Sequence, residues 1–147
     1  MLVVALTCLL LIAVTTLIHY EALRVLNTRL MALRIPKRSK LLVVIFAAFA
    51  AHIVEIAIYG ATLYVLVEYL GVGTLRGATQ FSLMNCLYFS VETYTTLGFG
   101  DLTPSGPIRL LAGVESLNGL LLIGWTATST YVAMERFWST SSQRVRP

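Results

Sequence analysis

The sequence predicts an all-α membrane protein of three transmembrane helices, with a shorter re-entrant helix and an extended run set between the second and third. Three observations predict it. Of 147 residues, 57% are hydrophobic and 12% charged, with a mean hydropathy of +0.80; a soluble domain carries about a quarter charged residues. The charges are segregated, so that Met1 to about Tyr20, Leu41 to about Val67 and about Ile108 to Met134 are long and apolar. A hydrocarbon core of ~30 Å needs roughly 20 such residues in a helix. Finally, Gln80 to Tyr94 reads as a helix too short to span, and a glycine-punctuated run, Thr95 to Asp101, follows it.

Taken in order, helix one is apolar around its circumference apart from Thr7, Thr15 and Thr16, so it meets lipid or another helix on every side. It starts without a base and lacks a small-residue cleavage site, which favours a retained span over a signal peptide. The stretch Glu21 to Arg34 spaces Leu23, Leu26, Leu30 and Leu33 helically between polar residues. Two readings stay open: an amphipathic helix along the inner membrane surface, or helix one continuing into the cytosol. Ile35-Pro36 ends it either way, because the residue before proline is biased out of the helical region.

Helix two, Leu41 to Val67, returns the chain to the other side, and Leu70 to Gly77 reads as a glycine-rich exposed loop. Leu102 to Pro107 reads as a turn, with Pro107 opening helix three at Ile108. Nine of the eleven bases lie in two places: Arg24, Arg29, Arg34, Lys37, Arg38 and Lys40 in the first loop, and Arg136, Arg144 and Arg146 in the tail. Both are expected to be cytoplasmic, which puts the N-terminus outside and the C-terminus inside. The net charge of +4 is then a topology signal. The bases of the first loop suit anionic lipid, and a nucleic-acid partner is not expected. Cys8 and Cys86 read as packing residues, no GxSxG or phosphate loop is present, and neither an enzyme nor a cofactor is expected.

A re-entrant segment is tolerated at membrane depth only where protein or water shields its backbone. One chain this small cannot provide that shield, whereas several copies around an axis can. Within Thr95-Thr96-Leu97-Gly98-Phe99-Gly100-Asp101, Gly98 and Gly100 alternate with larger residues. Backbone carbonyls replace the hydration shell of a potassium ion at similar cost, provided consecutive carbonyls face one axis. That requires alternating conformations which glycine accepts. Thr96 to Gly100 are therefore the candidate ion-binding residues, with K+ at Thr96, Leu97, Gly98 and Phe99 and with K+ only as the permeant ion.

This run resembles the potassium-channel signature, most often Thr-Val-Gly-Tyr-Gly-Asp. From Tyr88 to Gly119 the chain is similar to prokaryotic potassium-channel pore domains, including the bacterial proton-gated channel: Ser90-Val91-Glu92-Thr93 matches the pore helix and Asp101-Leu102-Thr103-Pro104 the filter exit. The resemblance implies a homotetramer in a prokaryotic plasma membrane, a selectivity filter supported by Thr95, Glu92 and Asp101, and a hinge at Gly119. It also implies a role in filter inactivation for a Glu92–Asp101 carboxyl pair sharing a proton. Phe99 replaces the usual tyrosine and Leu97 the usual valine, so potassium selectivity is expected with altered filter stability. Helix one has no counterpart in two-span members.

Ionisable residues at membrane depth pair or face protein. His52, Glu55 and Tyr59 share one face of helix two, and Glu115 and Asn118 one face of helix three. Counting ~1.5 Å per residue from Leu41 and from Ile108 sets Glu55 level with Glu115 and His52 level with Asn118. These four are expected to form one cluster, a clamp between the helices or a proton sensor. Gly119 is the hinge candidate, helix packing accounts for Gly113 and Gly124, and Ala127, Thr128 and Tyr131 are placed at an inner constriction. The division expected is an extra span over 1–20, a basic linker over 21–40, a pore domain over 41–137 and a short tail over 138–147. No voltage sensor and no cytoplasmic ligand-binding domain are expected. The rivals are a weakly selective cation channel and a non-conducting scaffold or transporter subunit.

Overall fold

The computed structural model describes residues 1–32, 36–78 and 80–142. Three long helices, α1 (Leu2–Ala32), α2 (Lys37–Glu68) and α4 (Ile108–Ser142), enclose a short helix, α3 (Leu83–Tyr94). Stretches long and apolar enough to cross a membrane run over Leu2–Arg29, Ser39–Glu68 and Ile108–Glu135. α1 continues without a break past Tyr20 to Ala32, so the second reading of 21–34 describes the described part of that segment. Arg34 lies outside the described residues, as do the side chains of Lys37 and Arg38.

α1 packs on both α2 and α4. Val4, Cys8 and Leu11 enter the same core as Tyr59, Leu63 and Ile108. Lipid is as apolar as these side chains, so close packing and interhelical hydrogen bonds, more than transfer from water, hold such helices together. Leu6, Leu9, Leu10 and Leu17 on the other side of α1 are exposed.

α3 starts at Leu83, three residues later than the sequence suggested, because Ser82 caps it: its hydroxyl accepts from the Asn85 N–H at 3.2 Å. Two glycines let it sit deep between the long helices. A Cβ on Gly60 of α2 would lie 3.0 Å from the Leu87 Cα, and one on Gly119 of α4 only 2.2 Å from the Tyr94 carbonyl oxygen. Gly119, expected as a hinge, is thus a contact point between α4 and the end of α3. Gly113 and Gly124, assigned to packing, meet nothing within 4 Å in this chain.

The loop and the turn flanking this region are paired. β1 (Thr74–Arg76) and β2 (Thr103–Ser105) form an antiparallel ladder with Leu75 opposite Pro104. Three residues are too few to show an alternating pattern, so the sequence read only loop. A Cβ on Gly77 would fall 1.9 Å from the Asp101 carbonyl oxygen, so the ladder closes tightly over the end of the glycine-punctuated run.

Candidate functional site

The run after α3 has the backbone its glycines suggested. φ is +56° at Gly98 and +81° at Gly100, and also +58° at Thr96, while Leu97 and Phe99 stay outside the left-handed region. A left-handed conformation costs an L-residue about 1–2 kcal/mol, and at β-branched Thr96 it is an outlier. Hydrogen bonds to the end of α3 hold the inner part of this alternation. Thr96 N–H donates to the Thr93 carbonyl at 3.1 Å, and Leu97 and Gly98 N–H both donate to that of Glu92, at 2.9 and 3.3 Å. The Thr95 hydroxyl donates to the Val91 carbonyl at 2.7 Å. Thr95 to Asp101 are all exposed in the single chain, and Gly98 and Gly100 have open space around them.

Glu92 is buried and its Oε1 has no hydrogen-bond partner. Asp101 is exposed and accepts from its neighbour, Leu102 N–H, at 3.0 Å. No hydrogen bond joins the two carboxyls among the described residues, although a shared proton was expected. Tyr88, one turn before Glu92, interacts with both. The i, i+4 spacing puts the phenol and Glu92 on one face of α3, where it takes the place between the carboxyls.

A second constellation is built on the end of α3 that the run follows. Glu55 is fully buried, and its Oε1 lies 2.9 Å from His19 Nδ1 on α1. Its Oε2 lies 3.1 Å from His52 Nδ1 and accepts a hydrogen bond from the Tyr94 hydroxyl. His52 Nδ1 is 2.9 Å from that same hydroxyl. On the other side of the rings, His52 Nε2 and His19 Nε2 lie 2.9 and 3.1 Å from the one Thr126 hydroxyl on α4. Four helices therefore meet here, and one of them delivers Tyr94, the last residue of α3.

The expected four-residue cluster is split. Glu115 accepts from the Ser90 hydroxyl of α3 at 2.6 Å, and Asn118 donates to Thr15 of α1 at 2.8 Å and to Tyr59 of α2 at 3.2 Å. His52 and Glu55 are joined, but His52 meets Thr126 of α4 instead of Asn118. The reason is length. α2 has 32 residues, about 48 Å of helix against a core of ~30 Å, so depth counted from its inner end is misplaced by about two turns. His19 and Tyr94 were missed. His19 stood where a span was expected to end, and Tyr94 read as the close of a short helix.

A partly open cavity of about 590 Å³ adjoins both constellations, with His52, Tyr94, Thr95 and Thr126 in its wall. Of the inner-constriction candidates, Ala127 also lines it, and Ala127, Thr128 and Tyr131 are exposed in the single chain.

Among known proteins, the chain is 38% identical over 69 residues to two-pore potassium channel 1 of Arabidopsis thaliana, covering 40% of this chain and 19% of that one. It is 32% identical over 85 residues to the human voltage-gated potassium channel regulatory subunit KCNG1, covering 56% of this chain and 16% of that one. The chain therefore spans less than a fifth of the length of these curated relatives. No solved structure matches it. The family model described as "Ion channel" matches residues 40–136, from the start of α2 through the short helix and its glycine run to the lower part of α4, and the chain belongs to that family of integral membrane proteins.

Proposed function

We propose that the chain is one subunit of a homotetrameric, potassium-selective channel that passes K+ passively through a carbonyl-lined filter. One observation carries the reading: left-handed backbone at Thr96, Gly98 and Gly100, alternating with Leu97 and Phe99 directly after a half-length helix. Alternation of this kind presents consecutive carbonyls to a dehydrated cation, and K+ is held by those of Thr96, Leu97, Gly98 and Phe99, with Gly100 closing the outer end. An irregular backbone at membrane depth needs protein or water around it. Leu97 and Phe99 are 59% and 69% exposed in one chain, so neighbouring copies supply the cover. The names of the relatives, a potassium channel and a potassium-channel subunit, support the same ion.

In this assembly α4 lines the cavity, with Ala127, Thr128 and Tyr131 at its inner narrowing. Glu92, Tyr88 and Asp101 brace the filter from behind, and gating acts by filter inactivation. The clamp is the reading carried forward for the intramembrane polar residues. The basic loop after α1 faces the cytoplasm of a prokaryotic cell, with Arg24 and Arg29 near anionic lipid. Arg24 also pairs with Glu21 at 2.9 Å on the exposed surface, a contact worth little by itself.

Reversal potentials of the purified protein in planar bilayers test the proposal. A reversal that follows the potassium gradient in mixed sodium and potassium is expected. A reversal near zero makes it a weakly selective cation channel, the outcome Phe99 would explain. The name of the human relative, a regulatory subunit, favours a second reading as a silent member of a mixed assembly. Absence of current together with a stoichiometry other than four identical chains would favour that.

A further inference from the structure

The chain has two histidines. They stand on different helices, and both are directed at one buried carboxylate. One ring nitrogen of each and a Glu55 oxygen lie within 4.8 Å of one another. We propose that His19, His52 and Glu55 form an intramembrane binding site for a divalent transition-metal cation of the zinc class, which fastens α1 to the pore region beside the filter.

The donor set fits such an ion. Two imidazole nitrogens and a carboxylate oxygen suit zinc, and bonds of about 2.0–2.2 Å at tetrahedral angles separate ligands by roughly 3.3–3.5 Å. His19 Nδ1 lies 2.9 Å from Glu55 Oε1 and His52 Nδ1 3.1 Å from Oε2, so the carboxylate faces both rings, and a small outward shift of each ring reaches that separation. The Tyr94 oxygen, 2.9 Å from His52 Nδ1, is the nearest fourth donor. Glu55 brings one negative charge to a dication, which matters where a net charge is costly to bury.

Thr126 supplies the second argument. Metal-bound histidines fix their tautomer by donating the other ring N–H to a nearby acceptor. Both Nε2 atoms converge on the Thr126 hydroxyl oxygen at 2.9 and 3.1 Å, and a hydroxyl oxygen has two lone pairs. It can accept from both rings at once, which leaves both Nδ1 lone pairs facing Glu55. With two neutral rings and no metal, each donating Nδ1–H to Glu55, both Nε2 atoms need a donor and the hydroxyl has one proton to give. A cation between the Nδ1 atoms satisfies both rings in the same tautomer; without it the same contacts close with the rings in opposite tautomers, His52 donating Nε2–H to Thr126 and accepting from Tyr94 at Nδ1. The adjoining cavity, which His52 and Tyr94 both line, offers a way in.

The test needs no conduction, so its failure leaves the potassium pathway standing. The purified full-length protein is titrated with Co2+ as a visible-absorbing probe and with Zn2+ as competitor. One Co2+ per chain with an intense tetrahedral absorption, displaced by Zn2+, is expected. His19→Gln, His52→Gln and Glu55→Gln should each weaken binding by about 100-fold, and Thr126→Ala by about tenfold. Cys8→Ser and Cys86→Ser should leave it unchanged. Should the ligand variants fail to fold, wild-type protein labelled with 15N only at histidine answers the question: Zn2+ should shift both Nδ1 resonances strongly and convert both Nε2 atoms to N–H. No saturable Co2+ binding by wild type, binding that survives His19→Gln undiminished, or histidine resonances unmoved by Zn2+ would overturn the proposal.

Discussion

The glycine run and the histidine cluster lie close together and are built in opposite ways. The run is seven consecutive residues, and its conformation is set by its own backbone and by hydrogen bonds reaching back only as far as Val91. The cluster is five side chains from four helices, with one contact joining residues 107 positions apart. The first depends on where glycine is allowed, and the second on how long helices are brought into register. Tyr94 belongs to both, because its hydroxyl bonds to Glu55 while its carbonyl meets Gly119 one residue before the run begins.

The largest effect should come from the run itself. Gly100→Ala places a side chain at φ +81°, costing about 1–2 kcal/mol per chain and repeated in every copy. Rubidium flux into vesicles should be abolished with the assembly intact by size; flux at the wild-type rate would break the claim that local backbone governs this region. Next is Gly119→Ala, which drives a methyl into the Tyr94 carbonyl. Thermal unfolding should show a loss of about 1–3 kcal/mol, against almost none for Gly113→Ala, whose added methyl meets nothing in the chain.

Glu55→Leu removes the acceptor at the centre of the cluster and leaves His19 and His52 short of partners. A loss of about 1–3 kcal/mol is expected, seen as faster protease access to α1 while α2 and α4 stay protected. Equal exposure of all helices would show that the cluster holds the whole bundle and not α1 in particular. Smallest is Tyr94→Phe, which keeps the ring in place and removes one hydroxyl. It should cost about 1 kcal/mol and, if the chain conducts as proposed, alter the rate at which current declines in single-channel records. Unchanged gating would separate the two regions functionally.

The run was legible because its information is local: glycines at alternate positions, a short helix before it and spans on either side. The positive φ of Thr96 was hidden, since nothing in a threonine announces a conformation that threonine disfavours. The polar residues of the bundle were legible as a class, for ionisable groups in apolar helices need partners. Their pairing was not, because partnership depends on helix length and overhang. Taking Leu41 as the membrane surface moved His52 from Thr126 to Asn118, and ending helix one near Tyr20 left His19 without a role. The three-residue strands carried too few positions to show any periodicity.

The length of α4 has a mechanical consequence. It runs unbroken to Ser142 and is held against the Tyr94 carbonyl at Gly119. The part below that contact is 23 residues, 142 − 119, which at ~1.5 Å each makes an arm of about 35 Å. A tilt of only about 10° at the fixed end would swing its tip by roughly 6 Å, a lever that turns a slight shift beside the glycine run into a wide excursion at the far end of α4.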